Sequence, residues 1–133
     1  MGCGGVEITL ESSPSLSNQE LNALFASAWP GHEERDFAPV IARSLVHVAA
    51  FAGRRLVGFV NVAWDGGRHG FLLDTTVAPD MRRGGVGSAL VASAVAAARG
   101  RGLEWLHVDF VPELAPFYRK AGFAPTEAGL LRL

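Results

Sequence analysis

The chain has 133 residues, 49% of them hydrophobic, and a formal net charge of −1 at pH 7. That length suits a single domain over residues 1–133, with enough apolar content for a packed core and a composition unlike a disordered chain. The balanced charge excludes the strong basic field that nucleic acid or an anionic membrane surface demands, so neither is expected as a partner. In chain order, Cys3 is the only cysteine, which rules out an internal disulfide framework and fits a reducing compartment. The N-terminus has no basic segment followed by an apolar run, so a cytoplasmic location is expected. Val6 to Glu11 alternates apolar and polar residues and reads as a first strand. Ser17 is placed as an N-cap, with Glu20 three residues on completing a capping box. Leu21, Leu24, Phe25 and Ala28 form the apolar stripe of that helix, which Trp29-Pro30-Gly31 ends. A second helix is predicted over Glu33 to Ser44, with Pro39 limiting its regularity.

Two strands follow, Leu45 to Phe51 and Arg55 to Ala63, joined by Ala52-Gly53-Arg54 in a hairpin pattern. Asp65-Gly66-Gly67 makes a turn into a strand over Phe71 to Val77. Next comes Arg82-Arg83-Gly84-Gly85-Val86-Gly87-Ser88, and then a helix in which Val86, Leu90, Val91, Ala94 and Ala98 recur with helical period. Its uncharged stretch, Ala89 to Ala98, falls far short of the ~20 residues needed to span a membrane. Gly100-Arg101-Gly102 ends the helix. A strand over Glu104 to Phe110, a short helix over Glu113 to Ala121 and a last strand over Leu130 to Leu133 complete the chain. Strand, helix and strand from Phe71 to Phe110 form a right-handed parallel crossover.

The strand, glycine turn and helix start together make a phosphate-binding arrangement. Successive backbone N–H groups converge there, and the helix dipole adds positive potential. Glycine allows a bulky anion to approach and tolerates φ > 0. A nucleotide-hydrolysing P-loop would need lysine before Ser88, and a dinucleotide fingerprint would need a different glycine spacing. Both fit poorly, and a phosphorylated cofactor of another kind is expected. His32, His47 and His69 show no metal-ligand spacing with one another or with Cys3, so no metal is expected.

The segment Val77 to Ser88 resembles the R/Q-x-x-G-x-G/A signature of the GNAT superfamily of N-acetyltransferases, with Arg82, Gly85 and Gly87 at its fixed points. Phe117-Tyr118-Arg119-Lys120-Ala121-Gly122-Phe123 is similar to that family's F-Y-x-K-x-G-F segment. The resemblance spans roughly residues 55 to 133. It implies an α+β fold: a mixed, mostly antiparallel sheet of six to seven strands flanked by about four helices, with a splayed parallel pair forming a coenzyme A cleft. It implies acetyl-CoA as co-substrate, a small-molecule or peptide amine as acceptor, and N-acetyl transfer by direct attack. By position, Thr75, Thr76 and Val77 would pair with the pantetheine arm, while Arg82, Arg83, Gly84, Gly85, Val86, Gly87 and Ser88 would hold the phosphates. Tyr118 would be the general acid beside the sulfur.

The general base is left open. Some members of the family carry a glutamate early on the fourth strand, where this chain has Phe71-Leu72-Leu73 and Asp74 is the nearest acid. Asp109 alternates with His107 and Trp105 onto one face of the expected fifth strand and is a second candidate. The departure from the family pattern also leaves a non-catalytic acetyl-CoA sensor or interaction module as the alternative reading. A homodimer is compatible with the sequence.

Overall fold

The computed structural model describes residues 7–133; Cys3 and the first residue of the expected Val6–Glu11 strand lie outside the described residues. The elements run β1 (Ile8–Ser12), α1 (Asn18–Ala28), α2 (Ala38–Ala42), β2 (Ser44–Ala52), β3 (Arg55–Trp64), β4 (His69–Val77), α3 (Val86–Gly100), β5 (Trp105–His107) and α4 (Ala115–Lys120), with 3-10 turns at Pro79–Met81 and Pro112–Leu114. The strands form one sheet in sequence order. β1 to β4 pair antiparallel, and β5 joins β4 in parallel.

The capping box at Ser17 is complete. Its Oγ accepts the Glu20 N–H at 3.1 Å, and Glu20 Oε2 accepts the Ser17 N–H at 2.8 Å, which satisfies two donors that helix geometry leaves free. The buried stripe Leu21, Leu24 and Phe25 lays α1 on one face of the sheet, where Phe25 meets Phe37 edge-on at 5.0 Å and Phe59 of β3 at 6.0 Å. On the opposite face α3 buries Val86, Leu90, Val91, Ala94 and Ala98. Its seat is close: a Cβ on Gly58 would stand 2.8 Å from Leu90 Cδ1 and 3.2 Å from Val86 Cγ1. That fit fixes where the first turn of α3 lies relative to β4.

Four expectations are corrected. The described residues form five strands, not six to seven: the Leu130–Leu133 segment is unpaired, with Leu130, Leu131 and Leu133 exposed. Its alternating pattern is that of a strand, but a strand needs a ladder, and none of the described residues supplies one. The strand expected over Glu104 to Phe110 stops at His107, because the chain turns away and Phe110 stacks on Tyr118 at 4.8 Å. Asp109 therefore shares no strand face with His107. The helix expected over Glu33 to Ser44 shrinks to Ala38–Ala42, with Pro39 in the first turn, where a missing N–H costs nothing.

The residues before α2 are held off helix by two asparagines of α1. Asn22 Nδ2 donates to the Arg35 carbonyl at 2.8 Å and its Oδ1 accepts the Arg35 N–H at 3.0 Å. Asn18 Oδ1 accepts the Phe37 N–H at 2.9 Å. These side chains supply the backbone partners that a helix would otherwise have provided.

Candidate functional site

β4 and β5 pair only at His69–Trp105, Gly70–Leu106 and Phe71–His107. Beyond Phe71 the two diverge, and the edge of β4 from Thr75 to Val77 carries no β5 partner. A cleft of about 510 Å³ opens there, lined by Trp29, Thr75, Thr76 and Val77 on one side and by Arg82, Arg83 and Gly85 to Ser88 on another. Phe117 and Tyr118 of α4 close its third side. One cavity thus gathers nine of the ten positions proposed for the phosphates and arm (Thr75, Thr76, Val77, Arg82, Arg83, Gly85, Val86, Gly87 and Ser88), together with the proposed acid. Gly84 shapes the turn without lining the cleft.

The turn is built for exposed amides. Gly85 sits at φ +80°, ψ 7° and caps α3 without any side-chain hydrogen bond. The N–H groups of Val86, Gly87 and Ser88 have no intrahelical acceptor, since the first bond of the ladder is Ala89 N–H to Gly85 O at 3.0 Å. The dipole of a 15-residue helix adds positive potential at that point. A Cβ on Gly85 would meet nothing within 4 Å, so the space beside it is open. Arg82 and Arg83 are exposed at the rim, and neither takes part in an ion pair among the described residues. Arg119 and Lys120, the basic residues in the last turn of α4, do not line the cleft.

Tyr118 is buried among aromatic rings, stacked on Phe110 and edge-on to Phe117 at 4.9 Å and Phe123 at 5.9 Å. Those contacts hold the ring still while it borders the cavity. Across from it, Trp29 Nε1 donates to Thr76 Oγ1 at 2.9 Å, and Thr76 Oγ1 donates to the Asp74 carbonyl at 2.9 Å. This chain ties the end of α1 to β4 and to its bulge.

The bulge lies at Asp74. Register shifts between Phe59–Thr76 and Asn61–Leu73, and Asp74 takes φ +59° to absorb the extra residue. Aspartate tolerates that left-handed conformation better than most residues. Its carboxylate lies 3.9 Å from Arg35 Nη2. Partial burial pushes the Asp74 carboxyl above the ordinary aspartate range, and Arg35 pulls it part of the way back. Asp109, by contrast, is exposed on the segment after β5.

Sequence reasoning missed the hydrogen bond from Trp29 to Thr76 and Arg35 as the partner of Asp74. It missed the His69–His107 contact too: Nδ1 and Nε2 are 2.8 Å apart, and the ring of His107 stacks on Phe71 at 4.9 Å. Each depends on long-range pairing that no local pattern announces. His47 Nε2 contacts the Pro14 carbonyl at 2.9 Å, and His32 Nε2 contacts Asn22 Oδ1 at 2.9 Å. Among the described residues no three His, Cys, Asp or Glu side chains cluster as metal ligands, and no helix is long and apolar enough to cross a membrane.

A sheet split after a short parallel ladder, with an uncapped helix start facing the split, defines an acetyltransferase-type α+β fold. The model of the acetyltransferase (GNAT) family matches residues 16–123, and the chain belongs to that family. It is 30% identical over 118 residues to serotonin N-acetyltransferase 2, chloroplastic, of Oryza sativa subsp. japonica; the match covers 85% of this chain and 59% of that protein. The chain thus spans about three fifths of the length of that curated relative. Among solved structures, a GNAT family acetyltransferase from Streptococcus pneumoniae TIGR4 superimposes with a TM-score of 0.79 at 23% identity, covering 96% of this chain and 98% of that one. The aminoglycoside N-acetyltransferase AAC(6')-Iy in complex with CoA gives a TM-score of 0.77 at 19% identity, covering 100% and 98%.

Proposed function

We propose that the chain is a single-domain N-acetyltransferase that moves the acetyl group of acetyl-CoA onto a primary amine by direct attack. The observation that carries this reading is the convergence, in one cavity, of the free amides of α3, the unpaired edge of β4 and Tyr118. The pyrophosphate would sit on the N–H groups of Gly85 to Ser88, with Arg82 and Arg83 beside it. The pantetheine arm, which is extended and carries amides, would add to the free edge at Thr75 to Val77 as an extra strand does. An N–H of that edge near Val77 would polarise the thioester carbonyl.

The amine must lose a proton before it can attack. An alkylamine of pKa ~10.4 is about 0.04% neutral at pH 7, equivalent to roughly 4.6 kcal/mol against reaction. Asp74, with its carboxyl raised by burial, is the better candidate for the base, acting directly or through water. Neither acid lines the cleft itself, but Asp74 adjoins the lining residue Thr75, whereas Asp109 sits on the exposed segment after β5 and is not favoured. Tyr118, whose ring borders the cavity, would return a proton from its phenol to the departing thiolate. The names of an N-acetyltransferase relative and of a CoA-bound neighbour support both co-substrates. The test is calorimetric titration with CoA followed by a thiol-release assay on acetyl-CoA with an amine panel. Uptake of CoA and amine-dependent release are expected; absence of CoA uptake overturns the reading.

A further inference from the structure

Trp29 carries the largest side chain in the lining of the cleft, yet burial does not hold it, because 47% of it stays exposed. Its backbone is fixed on both sides. The N–H donates to the Phe25 carbonyl at 2.8 Å, and the carbonyl accepts the His32 N–H at 3.2 Å. Those two bonds are enough to finish α1, and a half-exposed ring adds little to the core. The indole is instead held by one further bond, from Nε1 to Thr76 Oγ1 at 2.9 Å.

The polarity of that bond is dictated from the tryptophan end. An indole N–H can only donate, so Thr76 Oγ1 accepts it and must spend its own proton elsewhere. It does so on the Asp74 carbonyl at 2.9 Å, the carbonyl of the residue that takes φ +59° at the bulge. Thr76 is 2% exposed, so the chain of bonds runs out of water, where each link strengthens the next. The threonine side chain shares the α1 face of the sheet with its partner Phe59. Its backbone belongs to the stretch of β4 that β5 leaves unpaired. One hydroxyl therefore pins both the indole that walls the cleft and the strand edge beside it. Phe117 and Tyr118 stand on another side of the same cavity.

Resting on the acetyl-transfer reading above, we propose that Trp29 and Thr76 form a clamp that positions the pantetheine arm and its thioester. The indole lies along one side of the arm, the α4 rings close the other, and the Thr76 hydroxyl keeps indole and β4 edge in fixed relation. Both are positioning residues: neither exchanges a proton with substrate. Affinity for coenzyme A rests largely on the diphosphate grip of Gly85 to Ser88, which the clamp does not touch. Loss of the clamp therefore falls on the aim of the thioester and on turnover, where a misplacement of 1 Å is enough to cost about 10²-fold.

Two measurements test this. In the thiol-release assay, Trp29→Phe, which keeps a ring but loses the N–H, and Thr76→Val should each lower kcat about tenfold or more, while the Kd for CoA rises by no more than about threefold. The double variant should be no worse than the poorer single, because the two share one bond. Thr76→Ser, which keeps the hydroxyl, should recover most of the loss. The second measurement uses fluorescence. The chain has three tryptophans, and in a Trp64→Phe, Trp105→Phe background the emission of Trp29 should change on titration with CoA and not with ADP, which has a diphosphate but no arm. Unaltered kcat in both single variants, fully additive losses, no recovery in Thr76→Ser, or an equal emission change with ADP overturns the clamp while leaving acetyl transfer intact. Absence of CoA uptake by the parent overturns the acetyl-transfer reading and the clamp together.

Discussion

Gly85 offers a way to separate the shape of the turn from its packing. It sits at φ +80° with nothing within 4 Å of an added Cβ, so Gly85→Ala meets no clash and pays only for the left-handed backbone. That penalty is about 1–2 kcal/mol, a factor of roughly 5–30 in an equilibrium constant. If the turn keeps its shape, the loss appears as stability, a Tm about 3–10 °C lower for a chain of this length. If the turn relaxes instead, the amides of Val86 to Ser88 lose their aim and the Kd for CoA rises by up to the same factor. Gly85→Asn should fall between the parent and Gly85→Ala, because asparagine tolerates this conformation. Gly87→Ala is the counterpart: its Cβ would rest 3.5 Å from the Phe117 ring, an ordinary contact inside a helix, where alanine is favoured over glycine by up to ~1 kcal/mol. Thermal melts and CoA calorimetry on the three variants suffice. If Gly87→Ala lowers the Tm more than Gly85→Ala does, the turn geometry described above is wrong.

Tyr118→Phe should lower kcat by about 10²-fold with CoA affinity nearly unchanged; an unaltered kcat removes the tyrosine from the chemistry. Asp74→Asn, which retains tolerance of φ +59°, should depress kcat and abolish an acid limb lying above the ordinary aspartate value of ~3.9. Because the folded carboxyl binds its proton more tightly than the unfolded one, the contribution of Asp74 to stability is greatest below its unfolded pKa and declines as pH rises through the folded value. Asp74→Asn should therefore be at least as stable as the parent at pH 7 and should lose that decline, which melts between pH 3 and 7 would reveal. Ser17→Ala removes the capping box and should cost about 1 kcal/mol of stability, with no effect on the Kd for CoA.

The elements that were legible in the sequence are those written in local chemistry. Ser17 and Glu20 announce a helix start three residues apart, and Gly53 with φ +61° makes the hairpin where the turn residues suggested it. The five apolar positions of α3 all proved buried. What was not legible depends on distant partners. Glu33 to Phe37 carries no helix breaker, and only the amides of Asn18 and Asn22, more than ten residues upstream, hold it in another shape. Leu131-Arg132-Leu133 has the alternation of a strand, but alternation does not supply a neighbour. The glycine turn that opens α3 was readable from its own residues. The bulge that turns Asp74 toward Arg35 was not, because a register shift is a property of two strands and not of one.

The three-rung parallel ladder between β4 and β5 acts as a ruler. Each further rung would advance the fork by ~3.3 Å and take that length from the groove below it, while each rung lost would lengthen the groove by the same step. Substitutions at His69, Phe71 or His107, though distant from the glycine turn, would therefore be expected to alter how deep a tethered acyl chain can reach. Chain-length preference in this protein would then be governed at the closed end of the wedge and not by the residues that grip the donor.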